Sequence, residues 1–595
     1  MFGDNVLRIN CNSKEYFKEK IDKEIIKKYL GGRGLGLYLI YKMGIKIEDL
    51  DPFDGKNPFI ISSGPLTGSN LPLVTRAAAV FKSPLTDRWN YSTVGGTLGA
   101  IMRYAKVDVL IITEKFDTPS YLFIENGNVE FNEAKNLWGK DTLETENILK
   151  KKYGNDSAII SIGPAGENLV LYSSINHEKW RQFGREGGGA VLGSKKIKAI
   201  VFKPSLRKVD IEDENKYEII FKEIFKRSMG IDTKSYKENG TLGLIDSGNE
   251  LGFFPSYYWD KVFLDDWKNI SWKYNLKEKY YKGPGACLYC PVSCHREMYS
   301  EKYKKVYDLE YETTMALGGL TGINDPDEII KLGELTDRMG LDSISLGNLL
   351  GFLIYLSKKG IINEKIDWGD SNKIEELILK IANKREEIGE LGALGVKKLS
   401  EQLGVKDLAI HVKGLEPAGY DPRTLKGMIL TYSVSERGAD HLWSSGYAVD
   451  IPGKGGGRFA TGLEKVDAVM DLEERNAIYD SGLICKFGRG VYNWDTILNT
   501  LNIVTGFDLT IEELKNIAQR IIVLHRYLNK TNINDDKLPY RFFREYVNLP
   551  SPFEDGKCII SEEEWKNMIS TYYIKRGYTV DGIPTTETLT KLNII

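Results

Sequence analysis

Tyr121-Leu-Phe-Ile-Glu-Asn-Gly-Asn-Val-Glu-Phe131 decides how the first third of the chain is read. Two short runs of apolar and aromatic residues flank Asn126-Gly127. That pair accepts the positive φ angles of a type I′ turn, so the stretch predicts an antiparallel hairpin. Similar short apolar runs lie on either side, at Phe59–Ser62, Ala77–Phe81, Val107–Thr113, Ala158–Ile162, Leu169–Ser173 and Ile197–Phe202, with Gly, Pro and Asn between them. The first third therefore reads as β-rich. Past residue 208 the apolar spacing becomes helical. Asp325-Pro326 with Glu328 can start a helix whose apolar face is Ile329, Leu332, Leu335 and Met339. Thr510 and Glu513 form a capping box ahead of a stripe running from Ile511 through Leu514, Ile517, Ile521 and Leu524 to Leu528. The Lys- and Glu-rich residues of 364–390 read as solvated helix faces. The fold class expected is α+β, and no internal repeat is visible.

The chain has 595 residues, too many for one core. Its 81 basic and 83 acidic side chains nearly cancel, which gives no electrostatic reason to expect nucleic acid or an anionic membrane as partner. Six cysteines are too few for a disulfide scaffold. The opening residues carry no apolar signal-peptide core, and no apolar run reaches the roughly 18–20 residues that span a bilayer. A reduced, cytoplasmic protein is expected.

Three cysteines, Cys287, Cys290 and Cys294, fall in Gly285-Ala-Cys-Leu-Tyr-Cys-Pro-Val-Ser-Cys294. A short C-x2-C-x3-C loop can wrap an iron–sulfur cubane and supply three thiolates, the fourth coming from a distant residue. Cys485 is the candidate for it. A structural zinc site also uses four thiolates, but usually pairs two C-x2-C knuckles, and no second knuckle exists here. Spacing alone favours iron–sulfur, with zinc or unligated thiols as alternatives. Cys11 and Cys558 stand apart.

Gly31-Gly-Arg-Gly-Leu-Gly36 imitates a dinucleotide fingerprint, yet the residues before it, Glu24–Leu30, read as helix rather than strand. Further glycine clusters at 63–68, 94–96, 162–166 and 185–190 suit either ordinary turns or close backbone approach to a phosphate-bearing ligand. The five histidines form no HExxH pair, so a hydrolytic zinc centre is unsupported. His525 reads as structural, and His295 as a flank of the cysteine loop.

Taken in order, Gly32–Gly36, Gly64–Gly68, Gly163–Glu167, Gly189–Lys195, the cysteine loop, Glu310–Thr313, Asp337–Asp342, Tyr420–Arg423 and Arg437–His441 resemble the aldehyde:ferredoxin oxidoreductase family of tungsten or molybdenum bis-pterin enzymes. The resemblance runs nearly the whole length. It implies an N-terminal β-sandwich base at 1–207 and two mainly helical domains at 208–415 and 416–595, the first with three cluster cysteines and the second with the fourth. It implies a [4Fe–4S] cluster on Cys287, Cys290, Cys294 and Cys485, and two pyranopterin dithiolenes whose phosphates are bridged by Mg2+. The metal itself takes no side-chain ligand in such enzymes. Cofactor-binding positions implied are Arg76, Thr93, Gly95, Arg185, Gly187, Asp337, Leu341, Asp342, Asp480 and Ile484. Glu312 maps to a general base, His441 to a hydrogen-bonding partner of substrate oxygen, and Tyr420 to a residue orienting it. The implied reaction oxidises small aldehydes to carboxylic acids and passes electrons to ferredoxin.

Three departures stand out. The second pterin motif, Asp480-Ser-Gly-Leu-Ile-Cys485, has its glycine one place early and Ile484 in place of leucine, which predicts a locally different backbone. Thr93 replaces an asparagine beside the magnesium, tolerable where a backbone carbonyl is the ligand. A Glu-x-x-His pair that holds an interface iron in one member is missing, so neither a homodimer nor a small iron–sulfur companion subunit is specified. Two other functions remain open: a member that reduces an acid or aromatic thioester with a partner subunit, and a non-catalytic iron–sulfur carrier.

Overall fold

The computed structural model describes residues 2–550 and 556–595. Twelve strands of the N-terminal part form two six-stranded mixed sheets. The first runs β2 (Glu15–Glu19), β1 (Val6–Asn10), β6 (Val109–Thr113), β3 (Phe59–Ser62), β4 (Ala77–Lys82), β5 (Trp89–Val94). The second runs β11 (Arg181–Phe183), β10 (Ile175–His177), β9 (Ala158–Ser161), β12 (Ile197–Lys203), β7 (Ser120–Glu125), β8 (Asn128–Glu133). The β7–β8 hairpin pairs Glu125 with Asn128 around Asn126 (φ 52°) and Gly127 (φ 72°), as the Asn-Gly pair predicts.

The sheets share one core. Leu7, Phe59, Ile61, Phe81 and Leu110 of the first pack with Leu122, Ile124, Ile160, Ile200 and Phe202 of the second. The other face of the first sheet, with Ile60, Val80 and Ile111, joins a larger core built with the helices. Strands covered on both sides must be apolar throughout, which is why these runs read as unbroken hydrophobic strings. Among the predicted runs, Leu169–Ser173 is a turn, not a strand. Its apolar residues are buried by tertiary packing, which period alone cannot separate from strand burial.

The rest of the chain is mostly helical. Helix Pro326–Met339 is capped by Asp325, whose side chain accepts from the Asp327 amide, and helix Ile511–Asn529 has the expected Thr510–Glu513 capping box. A three-stranded sheet unannounced by the sequence, β13 (Tyr281–Gly285), β14 (His295–Ser300) and β15 (Lys305–Asp308), carries the cysteine loop between its first two strands. Among the described residues no helix is long and apolar enough to cross a membrane.

Candidate active site

Sheets and helices enclose a cavity of about 690 Å3. Its wall gathers Arg76, Thr93, Gly95, Arg185, Asp337, Asp342, Asp480 and Ile484, with Glu312, Tyr420, His441, Cys287, Cys294 and Cys485. Three other predicted residues stand behind the wall. Cys290 is half-buried against the core, Leu341 is fully buried, and Gly187 (φ 76°) lies where a Cβ would sit 2.0 Å from the Leu171 carbonyl oxygen.

Two turns hold the cavity between them. Helix Pro326–Met339 ends in Gly340 at φ 75°, the Leu341 amide donates to the Thr336 carbonyl (3.1 Å), and the Asp342 amide donates to Tyr172 (3.1 Å). Helix Leu463–Gly482 ends in Leu483 at φ 59°, the Ile484 amide donates to Tyr479 (2.9 Å), and the Cys485 amide donates to Leu73 (2.7 Å). The backbone at the second turn is thus the same as at the first, contrary to the expectation from its shifted glycine. Leucine is held left-handed there by packing and hydrogen bonds. Asp342 accepts from Arg185 (3.2 Å) and caps the next helix at Ile344. Asp480 accepts from the Tyr91 hydroxyl (2.6 Å) and from Lys486 (2.9 Å).

Glu312 and His441 face each other, with Nε2 and Oε1 3.6 Å apart. Burial pushes the Glu312 carboxyl up to about 8, although the Gly419 amide (3.0 Å) and Arg185 oppose the rise. Burial pulls His441 down to about 3 against the charge of Asp440, with Arg185 and Lys486 adding to the fall. The carboxyl is therefore the group that titrates near neutrality, and the imidazole stays uncharged. Glu312 Oε1 and His441 Nδ1 are buried without hydrogen-bond partners. Buried polar atoms left unpaired are costly, so the wall is built for a polar occupant. The Tyr420 ring stacks on Tyr447 (4.2 Å) and lies 5.5 Å from the His441 ring.

Cys290 and Cys294 feel the neighbouring cysteines electrostatically. Burial first, then the charges of Cys287 and Cys485, push Cys290 up to about 12. Cys294 is raised further by burial and by the other three. Burial also acts on Cys287, but His295, Arg181 and the Gly96 amide (3.2 Å) outweigh it and bring it to about 7. Cys287, Cys294 and Cys485 line the same cavity. Arg76, Arg185, Arg437 and Lys486 on the same wall fit a phosphate-bearing group.

Sequence reading missed two acids on the cavity wall, Glu310 and Asp308, and Arg181. Asp308 binds His295, so the residue flanking the cluster loop was the one available signal.

A cavity with cationic walls, a carboxyl–imidazole pair and three cysteine thiols offers donors for a polar, metal- or phosphate-bearing group. Family models agree. The aldehyde ferredoxin oxidoreductase N-terminal domain matches residues 6–204, and domains 2 and 3 of the same family match 219–594. The chain belongs to the aldehyde ferredoxin oxidoreductase family and is an oxidoreductase. It is 32% identical to the tungsten-containing aldehyde ferredoxin oxidoreductase of Pyrococcus furiosus, over 100% of this chain and 99% of the relative. It is 31% identical to the WOR-like subunit of an aliphatic sulfonate oxidoreductase of the same organism, over 100% and 97%. Among solved structures, the active-site complex BamBC of benzoyl coenzyme A reductase with 1,5-dienoyl-CoA superposes with a TM-score of 0.84 at 22% identity, covering 100% of this chain and 97% of that one, a likeness of fold.

Proposed function

We propose that the protein oxidises aldehydes to carboxylic acids and delivers the electrons through a [4Fe–4S] cluster to ferredoxin. The observation that carries this is the buried Glu312–His441 pair, 3.6 Å apart, on the wall that also holds the cysteines. A tungsten (or molybdenum) bis-pterin centre in the cavity would supply the two-electron acceptor and the oxygen chemistry. Arg76 and Arg185 would hold it on one side, with Asp337, Asp342, Asp480 and the amides around Gly95 completing the cradle. A magnesium ion would be held near Thr93, whose hydroxyl (3.0 Å) and carbonyl (3.4 Å) both accept from Arg76.

Glu312, deprotonated, takes the proton released as water adds to the carbonyl carbon. His441, neutral, donates a hydrogen bond to the substrate oxygen through Nε2–H and fixes its direction. Tyr420 packs beside His441 and orients the same oxygen. Partial burial of both groups strengthens their electrostatic effect on the substrate.

The test uses protein purified without oxygen from a host that makes the pterin, assayed for metals and for aldehyde-dependent reduction of a viologen dye. Iron with tungsten or molybdenum and no zinc, plus dye reduction, is expected. Zinc alone, or full metal loading with no aldehyde activity, would sink the proposal. The rate should rise with pH through about 8, where Glu312 loses its proton. Glu312→Gln should cut kcat by about 10²–10⁴-fold and flatten that rise.

A further inference from the structure

Arg181, at the start of β11, reaches from the N-terminal base across to the cysteine loop. Its Nη2 donates to the Ala286 carbonyl (2.9 Å), one residue before Cys287. Its Nη1 meets the His295 ring, one residue after Cys294, and that ring is held on its other nitrogen by Asp308. Its Nε donates to Glu178 Oε2 (3.0 Å), and the other oxygen of Glu178 accepts from Thr97 (2.5 Å). The reach depends on Gly96, whose added Cβ would stand 2.7 Å from Arg181 Cδ. Gly96 also donates its amide to Cys287 Sγ (3.2 Å). One arginine thus touches the residue before the first cysteine and the residue after the third. Its charge, half-buried and lining the cavity, is felt by both Cys287 and Cys294.

We infer that Arg181 is a positioning residue for the cluster: it clasps both ends of the Cys287–Cys294 loop to the base, and its fixed positive charge raises the cluster's reduction potential. Reduction adds an electron to the cluster, and a cation held beside two of its thiolates stabilises the more negative state. A guanidinium suits the task because it stays charged throughout the working pH range and its fork reaches the Ala286 carbonyl and the His295 ring together. Glu178 works against it. That carboxylate neutralises part of the charge while aiming the guanidinium. The pair therefore sets the potential by difference, and the two substitutions have opposite signs.

This inference rests on the cluster assignment made above, and its test separates the two. The anaerobically purified holoenzyme is titrated electrochemically while the reduced-cluster EPR signal is followed. Arg181→Gln should lower the midpoint potential, Glu178→Gln should raise it, and Arg181→Lys should restore most of the charge effect while leaving the loop more easily stripped of iron by a chelator. A reduced-cluster signal in all proteins with midpoints unmoved overturns the role of Arg181 and leaves the cluster standing. Should Arg181→Gln lose its cluster, Glu178→Gln decides: an unchanged or lowered midpoint overturns the inference. Absence of any cluster signal from the unaltered holoenzyme overturns both.

Discussion

The turns Asp337–Asp342 and Asp480–Cys485 have one backbone and two vocabularies. Each closes a helix with a left-handed residue, sends the next amide back to the last helical turn, and sends the following amide to a carbonyl of the sheet base. Each is met by a Gly-Pro turn of that base. A Cβ on Gly163 would sit 2.4 Å from the Met339 carbonyl oxygen, and one on Gly64 would sit 2.8 Å from that of Gly482. Yet one turn uses Gly340 and the other Leu483 at the left-handed position, and one ends in a carboxylate while the other ends in a thiol. The geometry is common because both turns must present a helix end to the same cavity. The side chains differ because the two ends hold different things.

The largest expected contrast lies at the final position. Cys485→Ser removes a proposed cluster ligand, and the visible absorption and iron content should fall sharply in the purified protein. Asp342→Ala at the matching place should leave iron untouched. It strands the buried Arg185 guanidinium and uncaps helix Ser343–Lys358, at a cost of about 3 kcal/mol, read by chemical denaturation. Equal iron loss in both variants would break the division of labour between the turns.

The left-handed residues come next. At Gly340 an added Cβ would lie 2.8 Å from the Gly163 nitrogen, backbone that cannot move aside. Gly340→Ala should cost about 2–4 kcal/mol, combining left-handed strain with that clash. Leu483→Gly runs the other way. It relieves about 1 kcal/mol of strain but empties a fully buried site, so a net loss of about 1–3 kcal/mol is expected. A stabilised Leu483→Gly protein would mean that the leucine contributes nothing to packing.

These turns also mark how far the sequence could be read. The hairpin and the Thr510–Glu513 capping box were legible because each rests on local rules: an Asn-Gly pair, and an oxygen three residues from a glutamate. Gly340 announced its left-handed turn because glycine is the residue expected there. Leu483 concealed the same turn, since a leucine adopts it only when tertiary contacts insist. Glu310, Asp308 and Arg181 were hidden for a related reason. Glu310 lay in a segment read only for Glu312, Asp308 was signalled only through His295, and the three-stranded sheet and β11 are what bring Asp308 and Arg181 to the cavity wall. The unexpected β13–β15 sheet is short, strongly charged and interrupted by the cysteine loop, so no alternation survives to announce it.

The smallest effect sharpens the comparison most. Gly482 is the last residue of its helix, one place before the turn, where the usual motif would not put glycine. An added Cβ would meet only Ile484 atoms, at 3.7 and 3.8 Å, which is ordinary contact. Its backbone is not in the left-handed region, so the glycine is spared no strain by lacking a side chain. It gives up helix propensity and leaves the unfolded chain freer. Gly482→Ala should therefore stabilise the protein by about 0.5–1 kcal/mol, read as a shifted denaturation midpoint with unchanged slope. A loss instead would mean that the early glycine is there to make room for a group at the cavity wall, and the displaced glycine would then be a feature of the cofactor site rather than a neutral shift of the motif.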